Sequence, residues 1–550
     1  MFLSTPALAA DRPTGNVRTP TPKSAVPQLD RPAPQKANRA RTALKPVTGP
    51  QFDVDGDGID ENLVRLMDGT THTWLSTTGK FSTYTINANS TTERQKDIIT
   101  PGNLDGTGGP EVLTLSTTGT LSLYHSTGAY GTGPVVWNGA GWQIYNKVFA
   151  PGDVTGDGKP DLLARTYAGD LYLYAGTGSD TAPFRGRVKV GGGWSAYDQL
   201  VGVGDMNKDG LGDVVARTTG GDLYFYAGKG STTAPLAGRV RIGGGWNIYN
   251  QVIAANDWDG DGESDLIART PSGDMYYYLA DGTGKFRARQ KAGSGFYGID
   301  LFAGSGANPR FGKASLIGMD TKGTLFWYGV QNNGQFTARE QISDTGGWQG
   351  AKIAYASSLD SDGYADLLEL YNGVLYNYGI DADASLATGW GRINLFLGPG
   401  DLNGDGKGDL LARDTSGALY LERGTGNGAS LASGIKIGSG WNAYDKIVGG
   451  GDFTGDGRAD IVARTPSGTL YLYRGTGSAT APFASRVKIG EGWKVYNKLA
   501  SPGDLDGDNR ADLIAANSKG ELFRYSADGT GKFKAPVKLG NGWNTYRDLH

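Results

Sequence analysis

The chain has 550 residues, with 53 Lys or Arg against 56 Asp or Glu, 90 Gly, 28 Tyr, 12 Trp and no Cys. The slight negative balance disfavours nucleic acid, whose binding depends on neutralised phosphates. The lack of cysteine excludes disulfides and thiol nucleophiles, and no apolar run is long enough to span a bilayer, which disfavours membrane insertion.

Residues 1–10 end in Ala7-Leu8-Ala9, the small-residue pattern of a signal cleavage region, and read as the remnant of a secretion signal. Residues 11–50 carry eight Pro, eight Lys or Arg and two Asp, so they read as a basic, disordered tether. Removing that segment leaves the rest of the chain more acidic than the whole.

From residue 51 onward one acidic loop recurs about every fifty residues. Its cleanest copy is Asp257-Trp258-Asp259-Gly260-Asp261-Gly262-Glu263-Ser264-Asp265. Strong copies also begin at Asp53, Asp153, Asp205, Asp401, Asp452 and Asp504, and weaker ones at Asn103, Asn308 and Ser358. A period of that length marks a radial or stacked repeat. Within residues 153–204 the loop is followed by Leu162–Thr166, the alternating Leu171-Tyr172-Leu173-Tyr174, Arg187–Val190 and Leu200–Val203, all separated by Gly-rich turns. Four short strands per repeat is the make-up of a propeller blade.

A second, longer period sets the number of blades per ring. Ala280-Asp-Gly-Thr-Gly-Lys-Phe286 returns as Ala527-Asp-Gly-Thr-Gly-Lys-Phe533, and Pro151-Gly152-Asp153 as Pro399-Gly400-Asp401. Both spacings are five repeats long. The expected fold is therefore all-β, two tandem five-bladed propellers over 51–303 and 304–550, with a single ten-bladed ring as the alternative. The last strand should close the second ring, and residues 296–302 the first, because closure removes exposed sheet edges.

Oxygen side chains at positions 1, 3, 5 and 9 of a Gly-bent loop suit a hard cation taking six to eight oxygens. The candidate ligands are Asp53, Asp55, Asp57 and Glu61; Asp153, Asp157 and Asp161; Asp205, Asn207, Asp209 and Asp213; Asp257, Asp259, Asp261 and Asp265. In the second half they are Asp360, Asp362 and Asp366; Asp401, Asn403, Asp405 and Asp409; Asp452, Asp456 and Asp460; Asp504, Asp506, Asp508 and Asp512. Two like charges 4 Å apart cost about 4 kcal/mol at an effective dielectric of 20. No Lys or Arg lies within the Asp257 loop to offset that, so a bound cation outweighs a bare turn. About eight structural Ca²⁺ are expected, replacing the disulfides an exported loop-rich protein would otherwise use. The Asn103 and Asn308 copies should be metal-poor.

These loops resemble the calcium loops of FG-GAP (VCBS-type) repeats, which implies integrin-like propeller blades. A second element, Gly-Gly-Trp-x-x-Tyr, gives Trp142/Tyr145, Trp194/Tyr197, Trp246/Tyr249, Trp441/Tyr444, Trp493/Tyr496 and Trp543/Tyr546; Trp348 and Trp390 keep only the Trp, and Phe296-Tyr297 is a variant. With the fifty-residue unit this resembles the blades of tachylectin-2-type lectins, five-bladed propellers that bind N-acetylated hexosamines. The resemblance implies sugar contacts at those Trp and Tyr residues; packing between blades is the competing role.

His72, His125 and His550 occupy no repeated or clustered context, and no nucleophile elbow is present. The expectation is a non-enzymatic, secreted, multivalent lectin whose partners are glycans of a cell surface or cell wall. The alternatives are a target-recognition subunit of a larger secreted complex, such as an adhesin or toxin assembly, or the accessory binding module of a hydrolase.

Overall fold

The computed structural model describes residues 17–18, 20, 24–29, 50–87, 95–310, 312–379 and 383–550. Residues 1–10, read as a signal remnant, lie outside them. Ten four-stranded antiparallel sheets follow one another along the chain, each a blade. The third is typical: Tyr145–Gly152, Asp161–Thr166, Leu171–Tyr174 and Val188–Gly191, paired in that order. Burial falls outward across it. The second strand is buried at its first five positions, the third alternates buried and half-buried, and the fourth is exposed or half-buried. That gradient explains the composition. Inner strands lie between neighbouring blades and are apolar on both faces, whereas outer strands need only one apolar face.

Strand order selects the five-plus-five arrangement. Ile299–Phe302 pairs with Asn62–Leu66, the first strand of the first sheet, through Val64↔Phe302 and Arg65↔Leu301. Tyr546–Leu549 pairs with Ser315–Asp320 through Gly318↔Leu549 and Met319↔Asp548. A single ten-bladed ring would have sent the C-terminal strand to Asn62–Leu66 instead. The chain forms two tandem propellers of five blades, each tied from its last strand back to its first sheet. Inner strands approach closely where side chains are absent: a Cβ on Gly202 would stand 2.2 Å from the Ala150 carbonyl oxygen.

The halves stack, and the connector takes part. Gly306 donates its N–H to the Val252 carbonyl at 2.8 Å and accepts one from Leu200 at 2.7 Å, so the link runs along inner strands of the first half. Across the junction, Asn146 Nδ2 donates to the Asp456 carbonyl at 2.9 Å and Asn250 Nδ2 to the Asp506 carbonyl at 2.7 Å. Gln251 Nε2 donates to the Gly507 carbonyl at 2.9 Å, and Arg310 reaches Asp504 at 3.3 Å. Asn146 is the second residue of the strand whose far end leads to Asp153, so acidic loops of the second half rest on the end of the first half opposite its own loops. The stacking is head to tail.

Most of the segment read as a tether, 11–50, lies outside the described residues. Its described residues pack: Arg18 donates its N–H to the Ile342 carbonyl at 2.9 Å, Ser24 Oγ donates to the Gly298 carbonyl at 3.3 Å, and Leu29 joins the core cluster containing Trp74 and Trp258. An extended chain needs few apolar residues of its own when it borrows backbone partners from a sheet edge.

Candidate functional site

In every blade but the first and sixth, whose innermost strands come from the end of the ring, the acidic loop joins the first and second strands, at one end of the ring. In the third blade, Asp153 accepts the Gly156 and Gly158 N–H groups on separate oxygens, both at 2.6 Å. Asp161 Oδ2 accepts from Val154 at 2.9 Å, while its Oδ1 accepts from Gly176 at 2.9 Å, on the loop after the third strand. That second bond recurs from Gly228 to Asp213, Ala280 to Asp265, Gly424 to Asp409 and Gly475 to Asp460, at 2.8–3.0 Å. The ninth residue is therefore a brace between loop and hairpin, a role the sequence pattern did not reveal.

Three loops bring carboxylates together. Oxygens of Asp53, Asp55, Asp57 and Glu61, of Asp257, Asp259 and Asp265, and of Asp504, Asp506 and Asp512 lie within 4.8 Å of one another in each set. Buried oxygens there lack hydrogen-bond partners: Glu61 Oε1, Asp257 Oδ1, Asp259 Oδ2, Asp506 Oδ1 and Asp512 Oδ1. Orphaned carboxylate oxygens are costly unless a cation meets them, so these residues fit a divalent ion. Among the described residues, the loops at Asp153, Asp205, Asp360, Asp401 and Asp452 do not converge to that degree.

Protonation reflects the crowding. Burial, with the Asp55, Asp53 and Asp57 charges adding, pushes Glu61 up to about 8. Burial also lifts Asp257 to about 6, with Asp261 and Asp259 contributing. It raises Asp161 to about 7 and Asp213 to about 8. Asp60, absent from the candidate ligands, is raised to about 7 by burial and by Asp257; it lies between the first and fifth loops and accepts the Phe52 N–H. Cations from other loops and strands offset part of the charge, which loop-by-loop counting missed: Arg287 reaches Asp261 at 3.2 Å, Lys208 of the Asp205 loop reaches Glu263 at 2.5 Å, and Arg185 lies 3.6 Å from Asp157. Asn207 and Asn403 accept the Asp209 and Asp405 N–H groups on Oδ1 at 2.9 and 2.8 Å and donate Nδ2 to the same residues' carboxylates at 3.1 Å.

The Gly-Gly-Trp-x-x-Tyr element forms a 3₁₀ turn entered through a left-handed glycine, for example Gly193 with φ 83° before Trp194–Ala196. The Trp194 N–H donates to the Gly169 carbonyl of the preceding blade at 2.9 Å. Its indole then lies between blades, 4.8 Å from the Tyr226 ring. Trp142, Trp246, Trp441, Trp493 and Trp543 repeat the contact with Tyr174, Tyr278, Tyr473, Tyr525 and Tyr328 at 4.3–4.8 Å. Five of these indoles are only 6–9 % exposed, and Trp543 is half-buried. The indoles are thus wedges between blades, the packing role weighed in the sequence beside sugar contact. Tyr145, Tyr197, Tyr249, Tyr444 and Tyr546 are buried as well, and Tyr496 is half-buried. Their hydroxyls meet the tyrosines of the third strand, as in Tyr145–Tyr174 at 2.7 Å and Tyr197–Tyr226 at 2.6 Å.

Two sets of arginines complete the unit, and the sequence reading passed over both. Arg165, Arg217, Arg413 and Arg464 donate to the carbonyls of the next Trp and Tyr, with Arg165 reaching Trp194 at 3.1 Å and Tyr197 at 2.7 Å. Arg187 and Arg239 lie over Tyr172 and Tyr224 at 4.7 and 4.8 Å and donate to the Tyr145 and Tyr197 hydroxyls at 2.9 Å. The recurrent Ala-Arg at the end of the second strand was the available signal. Around this rim, Ile144, Val188, Val240, Ile248, Val487, Val495 and Val537 are exposed.

Histidine placement also differs from the sequence reading. His125 is clustered, sharing a site with Asp105, Glu111 and Asp180. His72 meets Thr70 Oγ1 at 3.0 Å.

Compared with known proteins, residues 153–216, 205–268, 401–463 and 452–515 each match the FG-GAP-like repeat. No curated protein matches the chain. Among solved structures, a lectin of Agrocybe aegerita, described by its specific recognition of non-reducing terminal N-acetylglucosamine, is 18 % identical over 72 % of this chain and 90 % of its own, with a TM-score of 0.26.

Proposed function

We propose that the protein is an exported, calcium-stabilised, multivalent carbohydrate-binding protein that acts by binding rather than catalysis. The observation that carries this reading is the sixfold recurrence of one braced Trp–Tyr unit at blade boundaries, beside exposed rim residues such as Ile248 and Val240. Burial of the indole faces moves the proposed contact from ring face to ring edge and rim: an indole edge with its N–H, neighbouring glycine amides and one aliphatic side chain suit an acetamido sugar. Individually weak sites on one rigid body gain avidity on a glycan-covered surface. The proposed targets are glycans of a cell surface or cell wall, with N-acetylated aminosugars preferred.

The proposed calcium ligands are those of the three convergent loops, at Asp53, Asp257 and Asp504. The other strong loops would need their carboxylates to turn inward to reach the full set of about eight ions. Bound calcium would supply positive charge to the crowded carboxylates and hold the loop ends of the blades.

A glycan array probed in calcium buffer tests the sugar reading. Binding to N-acetylated hexosamines, competed by the free sugar and lost in a variant with Ile144, Ile248 and Val495 replaced by Asp, is expected. Those positions are exposed, so the fold should survive. Trp194→Ala, by contrast, should cost about 3–5 kcal/mol of stability as a core truncation. A second reading, recognition of a protein partner within a secreted complex, draws on the same apolar rim; binding that free sugar does not compete would favour it.

A further inference from the structure

We propose that the second blade carries a zinc site made by His125, Asp105 and Asp180, distinct from the oxygen-only loops. His125 Nε2 lies 3.3 Å from Asp180 Oδ2 and 4.0 Å from Asp105 Oδ2. On the other side of the ring, Nδ1 faces Glu111 Oε1 at 3.3 Å. Glu111 is fully buried; its Oε2 accepts the Leu104 N–H at 2.6 Å, and its Oε1 has no hydrogen-bond partner apart from that imidazole. A buried carboxylate facing Nδ1 is the arrangement by which a ligating histidine holds a proton on Nδ1 and presents Nε2 to a metal. Nε2 and Asp180 Oδ2 stand in hydrogen-bond contact, so either a proton or a metal ion lies between them, and a metal titration separates the two.

Departures from the internal repeat converge on this point. The position of His125 is Ala175 in the third blade and Ala227 in the fourth, and that of Asp180 is Thr232 in the fourth and Ala479 in the ninth. His125 comes from the third strand of the second blade, opposite Glu111, and Asp180 from the outer loop of the third blade. Elsewhere the ninth loop residue spends its inner oxygen on a backbone N–H, as Asp161 does with Gly176. Here that oxygen meets the imidazole instead. The same loop has Asn103 and Thr107 where strong copies carry Asp, so its own set is poor for calcium.

One imidazole and two carboxylates with a fourth position left for water suit zinc, which favours tetrahedral nitrogen and oxygen ligands at about 2.0–2.2 Å. Ligand atoms on such a tetrahedron stand about 3.3–3.5 Å apart. The Nε2–Asp180 separation already matches; Asp105 needs to close by about half an ångström.

The test uses the untagged full chain in millimolar calcium, titrated with Co²⁺ as a visible probe and then with Zn²⁺. One Co²⁺ per chain with a tetrahedral absorption band, displaced by one Zn²⁺, is expected. His125→Ala and Asp180→Ala should abolish the band, His72→Ala should keep it, and Glu111→Gln should weaken binding by about 10–100-fold. His125 and Asp180 are about one-third exposed, so both variants should fold, with an unchanged thermal midpoint in calcium as the check. Absence of a cobalt band, or a band that survives His125→Ala, would overturn the site.

Discussion

The loops at Asp257 and Asp504 are matching copies, each reading Asp-x-Asp-Gly-Asp, yet they sit in opposite surroundings. Residues 260–262 of the first are half-buried, and the loop is met by Arg287 and Lys208 of its own half. Residues 504–507 of the second are buried against the first half, where the Asp506 and Gly507 carbonyls accept Asn250 and Gln251. Arg310, Arg510 and Arg524 surround its carboxylates. One motif therefore serves two ends. In the first half it closes a blade, and in the second it also joins the two propellers.

The largest effect should come from removing metal and changing pH together. Asp161, Asp409 and Asp504 are held near 7 and Asp213 near 8, chiefly by burial and above the ordinary carboxylate value. The metal-free fold thus keeps protons that the unfolded chain has released. Their contribution is complete below about pH 4 and is lost as pH rises through about 7–8. Chelated protein should melt higher at pH 5 than at pH 8, and added calcium should restore the loss at pH 8; equal melting at both values would break the assignment of strained carboxylates.

Next in size is Asp512→Ala, which orphans the buried Leu505 N–H and empties the covered loop. It should cost about 2–3 kcal/mol by denaturant unfolding, and it should also loosen the junction, read as faster proteolysis between the halves. Asp265→Ala should cost a similar amount without opening the junction. If both variants open it alike, the two loops do not differ as described.

A matched pair gives the finest discrimination. Asn250→Ala removes the bond to the Asp506 carbonyl and the partner of Arg269 Nε, and should cost about 1–3 kcal/mol. The corresponding Asn497 of the second half is exposed at the free end of the stack, and Asn497→Ala should change stability by no more than about 0.5 kcal/mol. Equal costs would argue against head-to-tail stacking.

Much of this was legible because repetition averages over local ambiguity. Fifty-residue spacing, alternation in Leu171–Tyr174 and the returning Ala280–Phe286 string were enough for blade count, strand count and ring size. The ring-closing role of Ile299–Phe302 followed from where the repeats begin and end. The aromatic element was legible as a unit but not in its exposure: Trp194 pattern alone suits a wedge as well as a platform, and only the Tyr226 contact and the Arg165 clamp decide between them. The His125 site escaped notice because its partners, Asp105 and Asp180, are 75 residues apart in sequence and meet only when two blades stand side by side.

By itself the sequence determined the blade and the number of blades, since turn glycines, alternating strands and loop spacing act within one repeat or between neighbours. The tertiary structure alone decided which loops face solvent, which indoles are sealed between blades and which carboxylates meet a cation from another element. Those outcomes depend on side chains from distant repeats competing for the same space and charge, and no local pattern records the result.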